Sequence, residues 1–143
     1  MPTRQDLQEI AEKRLLEANI LSDNGLYDGA AYLLGYVVEL GLKAIICKVL
    51  DCDYPDTGEI SKSFLTHKLS ILIRLTGLEN KLIADRQQNP QLDNNWVSFE
   101  ALEWNESVRY YRVGSISENI VQNAVRAVGD STNGVLFWIK TQW

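Results

Sequence analysis

Apolar residues recur along the chain at three- and four-residue intervals, the rhythm of one face of an α-helix, and no stretch alternates long enough to compete as a strand. Thr3 followed by Asp6 marks a helix start. Leu7, Ile10, Ala11, Ala18 and Leu21 then share one face, with Gln8, Glu9, Glu12, Lys13 and Glu17 outside. Ser22-Asp23-Asn24-Gly25 ends this first helix, at about residues 3–22, by supplying Asn or Gly for a left-handed cap. A second helix, about 27–50, is apolar nearly all round: Ala30, Leu33, Leu34, Val37, Val38, Leu40, Leu42 and Ala44 to Ile46 leave no polar face. Such a helix belongs in the middle of a bundle. Ala31, Gly35 and Gly41 are small enough to admit a close neighbour, which offsets the ~1 kcal/mol that a mid-helix glycine costs relative to alanine.

Asp51 to Lys62, with Pro55, Asp56 and Gly58, reads as a loop. Thr66 is placed to cap a third helix that starts at His67, carries Leu69, Leu72, Ile73 and Leu75, and ends at Gly77. A short fourth helix over Glu79–Gln88 stops at Asn89-Pro90, and a fifth, from Asp93 to about Trp104, keeps Trp96, Phe99 and Leu102 in register with Leu92. Ser115-Ile116-Ser117-Glu118 fits the capping box of a last helix. Asp130-Ser131-Thr132-Asn133-Gly134 resembles a break, yet Ile120, Ala124, Val128, Ser131, Val135 and Trp138 hold the helical phase across it. One long helix over about 115–141 is therefore predicted. The fold class is all-α: an up-and-down bundle of four to five helices with a long C-terminal helix, one domain over residues 1–143.

Composition narrows the function. A chain of 143 residues buries a core without staples. Fourteen basic against 19 acidic residues give a net charge of −5, so no global field draws the chain to nucleic acid, and RNA is a disfavoured partner unless a local basic patch exists. Cys47 and Cys52 have no second pair with which to hold zinc. Cys47 reads as a small buried hydrophobe, with a Cys47–Cys52 disulfide as the alternative. The start, Met1 to Asp6, is polar with no apolar segment behind it, so no signal peptide is expected. Glu39, Lys43 and Lys48 interrupt the apolar run from Ala30 to Leu50, which argues against a membrane span and for the cytoplasm. No Gly-rich phosphate loop or nucleophile elbow is present, and no cofactor is implied.

The informative polar residues lie in and after the second helix. Glu39 and Lys43 are four apart, share a face and can pair. In a bundle core both ends of such a pair need partners, because an unpaired buried charge costs several kcal/mol. The candidates are His67, at a helix start, and Arg109 with Tyr110, before the last helix. One reading is a polar network that fixes helix register, with His67 structural and Arg109 paired to Glu39 or Glu106. The other is a ligand or catalytic pocket. Arg109 and Arg112 flank Tyr110 and Tyr111 ahead of a helix N-terminus, a setting that suits a phosphate or nucleotide. Trp96, Trp104, Trp138 and Trp143 fall at helical spacings that suit core or interface, and the last two could line a dimer face.

Tyr27-Asp28-Gly29-Ala30, then Glu39-x-x-x-Lys43, then Thr66-His67-Lys68-Leu69, then Arg109-Tyr110 resembles, in order and spacing, the pattern of the HEPN domain family. The resemblance implies a bundle of four or five helices that dimerises. It further implies frequent genomic pairing with a small nucleotidyltransferase, and a place in toxin–antitoxin or defence systems. It also implies, in many members, a metal-independent endoribonuclease built on an Arg, four to six intervening residues and then a His, around the start of the last helix. This chain departs from that pattern. With four to six residues intervening after Arg109 or Arg112, the positions reached are only Gly114 to Asn119, and the single histidine, His67, stands some forty residues earlier; Lys62-x-x-x-x-His67 has the spacing with the wrong cation. The reading is a non-catalytic HEPN-like module that dimerises and binds a partner or nucleotide, with Glu39, Lys43, Arg109 and Tyr110 as ligand-binding candidates. The alternative is an endoribonuclease with a rearranged site drawn from Arg109, Arg112 and His67.

Overall fold

Thr3 and Asp6 each accept a hydrogen bond from the other's backbone amide, at 3.1 Å and 2.8 Å, and this reciprocal cap starts α1 (Arg4–Asp23). The computed structural model describes residues 2–54 and 62–143. α1 lays Leu7, Ala11 and Ala18 along α2 (Tyr27–Leu50). After a 3-10 turn at Lys62–Leu65 come α3 (Leu69–Leu75), α4 (Glu79–Gln88) and α5 (Pro90–Glu100). A second 3-10 turn at Glu106–Tyr110 leads to α6 (Glu118–Gly129) and α7 (Val135–Lys140). Among the described residues the fold is helical throughout, with no strand. α2 is its axis: α1, α3, α6 and α7 all pack on it, so Ala30, Leu34, Val37, Leu42, Ile45 and Ile46 are buried on every side. The all-round apolar pattern of this helix has that meaning.

Two glycines of α2 set how closely its neighbours approach. A Cβ on Gly35 would lie 1.9 Å from the Trp104 ring, whose Nε1 donates to the Tyr32 carbonyl at 3.1 Å. The close neighbour there is an indole from the connection after α5 rather than a helix. At Gly41 the neighbour is α7: a Cβ would meet Ile139 at 2.9 Å, and Trp143 Nε1 donates to the Gly41 carbonyl at 3.1 Å.

The single long C-terminal helix does not form; α6 and α7 are separate. The Asp130 carboxylate accepts from the amides of Asn133 at 2.7 Å and Thr132 at 2.9 Å, which bends the chain out of the helix. Gly134 then packs so tightly on the Asp130 backbone that a Cβ would stand 2.3 Å from its carbonyl oxygen. Asn89, Gln91 and Asn95 bind Asn133 from the side of α5 and hold the break. Phase survives because Val128, Val135 and Trp138 still reach the core, while Ser131, counted in the same stripe, is exposed. Side-chain register is thus no proof of a continuous backbone.

Smaller corrections have the same origin in side-chain capping. α6 starts at Glu118, with Ser117 at its N-cap making no side-chain bond, so the capping box at Ser115–Glu118 is absent. α3 starts at Leu69, because the Thr66 hydroxyl turns the chain by accepting from the Lys68 amide at 3.0 Å and leaves His67 outside the helix. α5 starts at Pro90, capped by Asn89 on the Leu92 amide. Cys47 and Cys52 are free thiols. Trp138 is core, edge-on to Trp96 at 5.6 Å and bonded to Asp85 at 2.9 Å. Most of the loop read at Asp51–Lys62 lies outside the described residues.

Gly35→Ala forces the Trp104 ring out of its slot and is expected to destabilise the fold by about 1–3 kcal/mol in urea unfolding, with a changed tryptophan emission. The amides of Asn133 and Thr132 hold the Asp130 carboxyl below its ordinary value of 3.8. A depressed folded-state pKa stabilises above the unfolded value and loses that contribution as pH falls through the folded one. Asp130→Asn is therefore expected to lower the melting temperature at neutral pH, and the gap to the parent chain should close in acid.

Candidate functional site

Glu39 and Lys43 lie one turn apart on α2, with 1% and 9% of their surface exposed, and Lys43 Nζ donates to Glu39 Oε1 at 2.7 Å. A carboxylate so buried needs more than one partner. The second is His67, whose Nδ1 stands 3.0 Å from Oε1 and 3.2 Å from Oε2. The Thr66 turn provides this: in the connection ahead of α3, the imidazole can reach inward to α2, which a side chain in a helix starting at His67 need not do. Facing a carboxylate, Nδ1 carries the proton. Nε2 has no hydrogen-bond partner among the described residues, and the His67 side chain is 42% exposed. On the far side, Lys43 Nζ stands 5.1 Å from the Tyr54 ring, and the Tyr54 hydroxyl donates to the Phe64 carbonyl. Burial, helped by the charge on Glu39, pushes the Tyr54 phenol up and keeps it a neutral donor. Among the described residues no buried side-chain nitrogen or oxygen lacks a partner.

From His67 an aromatic path leads outward. Tyr36 is edge-on to His67 at 6.4 Å, to Trp104 at 5.2 Å and to Tyr32 at 5.1 Å. Burial first, and the neighbouring Tyr32 next, push the Tyr36 phenol up to about 12. Beyond Tyr32 lies Arg109, whose guanidinium is held above its ordinary value by Tyr32 and then Tyr110, and whose Cζ stands 4.8 Å from the Tyr110 ring centre. Arg109 does not reach Glu39 and pairs with no carboxylate among the described residues; the pairing with Glu39 or Glu106 is thereby corrected. Burial of Val108 and wedging of Trp104 at Gly35 set the second 3-10 turn with Arg109 and Tyr110 in solvent, Tyr110 at 76% exposure. Arg112 is exposed on the strip that follows, also unpaired among the described residues. That strip is tied down by the start of α2. Asp28 Oδ2 accepts from the Gly114 amide at 3.0 Å, and the Tyr27 hydroxyl accepts from Gln122 Nε2 on α6 at 2.9 Å.

The structure thus gathers Glu39, Lys43 and His67 into one buried cluster and sets Arg109, Tyr110 and Arg112 on a separate surface. Tyr32, Tyr36 and Trp104 join the two; apolar spacing puts Trp104 in core or interface but assigns no role to the two tyrosines. A signal existed: Tyr32, Tyr36, Glu39 and Lys43 stand at i, i+4, i+7 and i+11, one stripe of polar-tipped side chains on an otherwise aliphatic helix.

A family model described as the HEPN domain matches residues 5–130. The chain belongs to the HEPN family. The match takes in the buried cluster, the aromatic path and the Arg109 surface, and ends at Asp130, where α6 gives way to α7. No curated protein and no solved structure matches the chain. Among the described residues of this HEPN domain, no helix is long and apolar enough to cross a membrane.

Removing one member of a buried ion pair strands the other. Glu39→Ala is expected to cost about 3–5 kcal/mol in chemical unfolding, and Glu39→Leu combined with Lys43→Met to recover most of it. A double variant no more stable than the single one would show that the cluster does not hold the core.

Proposed function

We propose that this HEPN domain is a non-catalytic module that dimerises and binds a nucleotide, or a nucleotidyltransferase partner, through the surface around Arg109 and Tyr110. The observation that carries this reading is an exposed guanidinium stacked on an exposed phenol, free of any carboxylate among the described residues, in a chain of net charge −5. A guanidinium meets phosphate oxygens in bidentate fashion, and a phenol ring offers a face to a base. Arg112 and Tyr111 extend the same surface. Glu39 and Lys43 act behind it, through His67 and Tyr36, rather than by touching the ligand. Such a module suits a toxin–antitoxin or defence system in the cytoplasm.

A second reading has its own observation. A histidine with Nδ1 on a buried carboxylate and Nε2 unbonded is the arrangement of a general base, so His67 with Arg109 and Arg112 would make a metal-independent endoribonuclease. Against it stands the placement of Tyr32 and Tyr36 between that imidazole and Arg109 in the same chain.

The two readings separate on purified protein. Light scattering is expected to give about twice the 16.2 kDa chain mass. Titration with ATP should show binding that Arg109→Ala weakens by about tenfold, the equivalent of ~1.4 kcal/mol. RNA incubated with the protein and EDTA should remain whole. Cleavage that disappears in both Arg109→Ala and His67→Ala would overturn the proposal in favour of the endoribonuclease.

A further inference from the structure

A cleft of about 540 Å³ opens between α2, α3, α4 and α5, with His67 and Trp104 in its lining. Its volume falls in the range of sites that enclose a small organic molecule. The floor is apolar and firmly packed: Val38, Leu42, Leu82, Trp96 and Phe99 line it, and each is buried in the fold. Such a floor selects for an apolar body and says nothing about a head group. The rim does. Arg86 is consumed by Asp93 at 2.7 Å and by Glu100 at 2.6 Å, and Glu79 lies 3.4 Å from Arg74. Glu103 and Glu106, on either side of Trp104 and Asn105, pair with no cation among the described residues; Lys68 is the one rim cation in the same condition. Glu103 also adopts φ 49°, the left-handed conformation that closes a helix end and that glycine occupies at least cost. Glu103 is an exposed residue of the cleft lining.

We propose that this cleft binds an organic cation with an apolar body: an aryl or alkyl amine whose ammonium group sits between Glu103, Glu106 and the Trp104 ring. The carboxylates supply opposite charge and the indole a π face, and both act at the edge of an apolar slot where water competes less than on open surface. Arg109 and Tyr110 do not line this cleft, although Glu106 shares their 3-10 turn and Asn105 donates to the Tyr111 hydroxyl at 3.0 Å.

Trp96 and Trp104 both line the cleft, so intrinsic fluorescence reports on it. The full chain would be titrated with 2-phenylethylamine, with the neutral 2-phenylethanol and with the anionic 3-phenylpropanoate. The amine is expected to saturate, with the alcohol at least about tenfold weaker and the anion weaker still. Glu103→Gly combined with Glu106→Gln should reduce amine affinity by about tenfold and leave the alcohol unchanged. The glycine relieves the left-handed backbone, so the melting temperature should not fall, and loss of binding cannot be assigned to loss of fold. Arg109→Ala should leave the amine titration intact, which keeps failure here apart from failure of the nucleotide reading. The proposal is overturned if no probe saturates below about 10 mM, if amine and anion bind alike, or if the double variant binds as the parent does. Amine binding that weakens as protein concentration rises would show a second copy in the cleft, and would overturn it as well.

Discussion

A carboxylate placed at the centre of a greasy helix is the constraint from which most of this structure follows. Glu39 sits in α2 at 1% exposure, where a lone negative charge would be untenable. Lys43 satisfies part of it from the same helix. The rest must come from elsewhere in the chain, and His67 supplies it across a separation of 28 residues. The bond therefore does more than neutralise charge. It fixes where the connection into α3 crosses α2, and hence how α3 and α4 stand over the hydrophobic floor formed by Val38 and Leu42. An apolar side chain in place of Glu39 would fill the space without specifying that crossing.

The same cluster gives the imidazole two faces with different environments. Nδ1 is committed to Glu39, while the ring edge meets Tyr36 and part of the side chain remains in solvent. Tyr36 in turn touches Trp104 and Tyr32, the residues that set the segment bearing Arg109. Buried charge and surface guanidinium are thus neighbours through an aromatic relay.

Much of the architecture was legible in the chain. The helical rhythm, the central place of the second helix and the bounds of the first two helices came directly from apolar spacing, because burial in a helix imposes that period whatever the tertiary partners. The pairing of Glu39 with Lys43 is likewise local, one turn apart. What was not legible depended on side chains acting on backbone. Asp130 ends α6 by hydrogen bonds that periodicity does not encode, and Thr66 withdraws His67 from α3 by a single hydroxyl. The Arg109 surface failed for another reason. An arginine and a buried glutamate in one small chain invite pairing on charge alone, and only the packing of Trp104 into the gap left by Gly35 turns that arginine outward.

That packing has a further consequence. The segment from Asn105 to Gly114 is stapled at both ends to one helix: Trp104 enters α2 at Gly35 and Tyr32, and Gly114 hangs from Asp28 at the start of α2. Between these staples the nine residues Asn105 to Val113 form a short handle whose ordering entropy is already spent in the isolated chain. A body that grips the handle meets it preformed, and any tug is delivered to the bundle's axis rather than absorbed in slack.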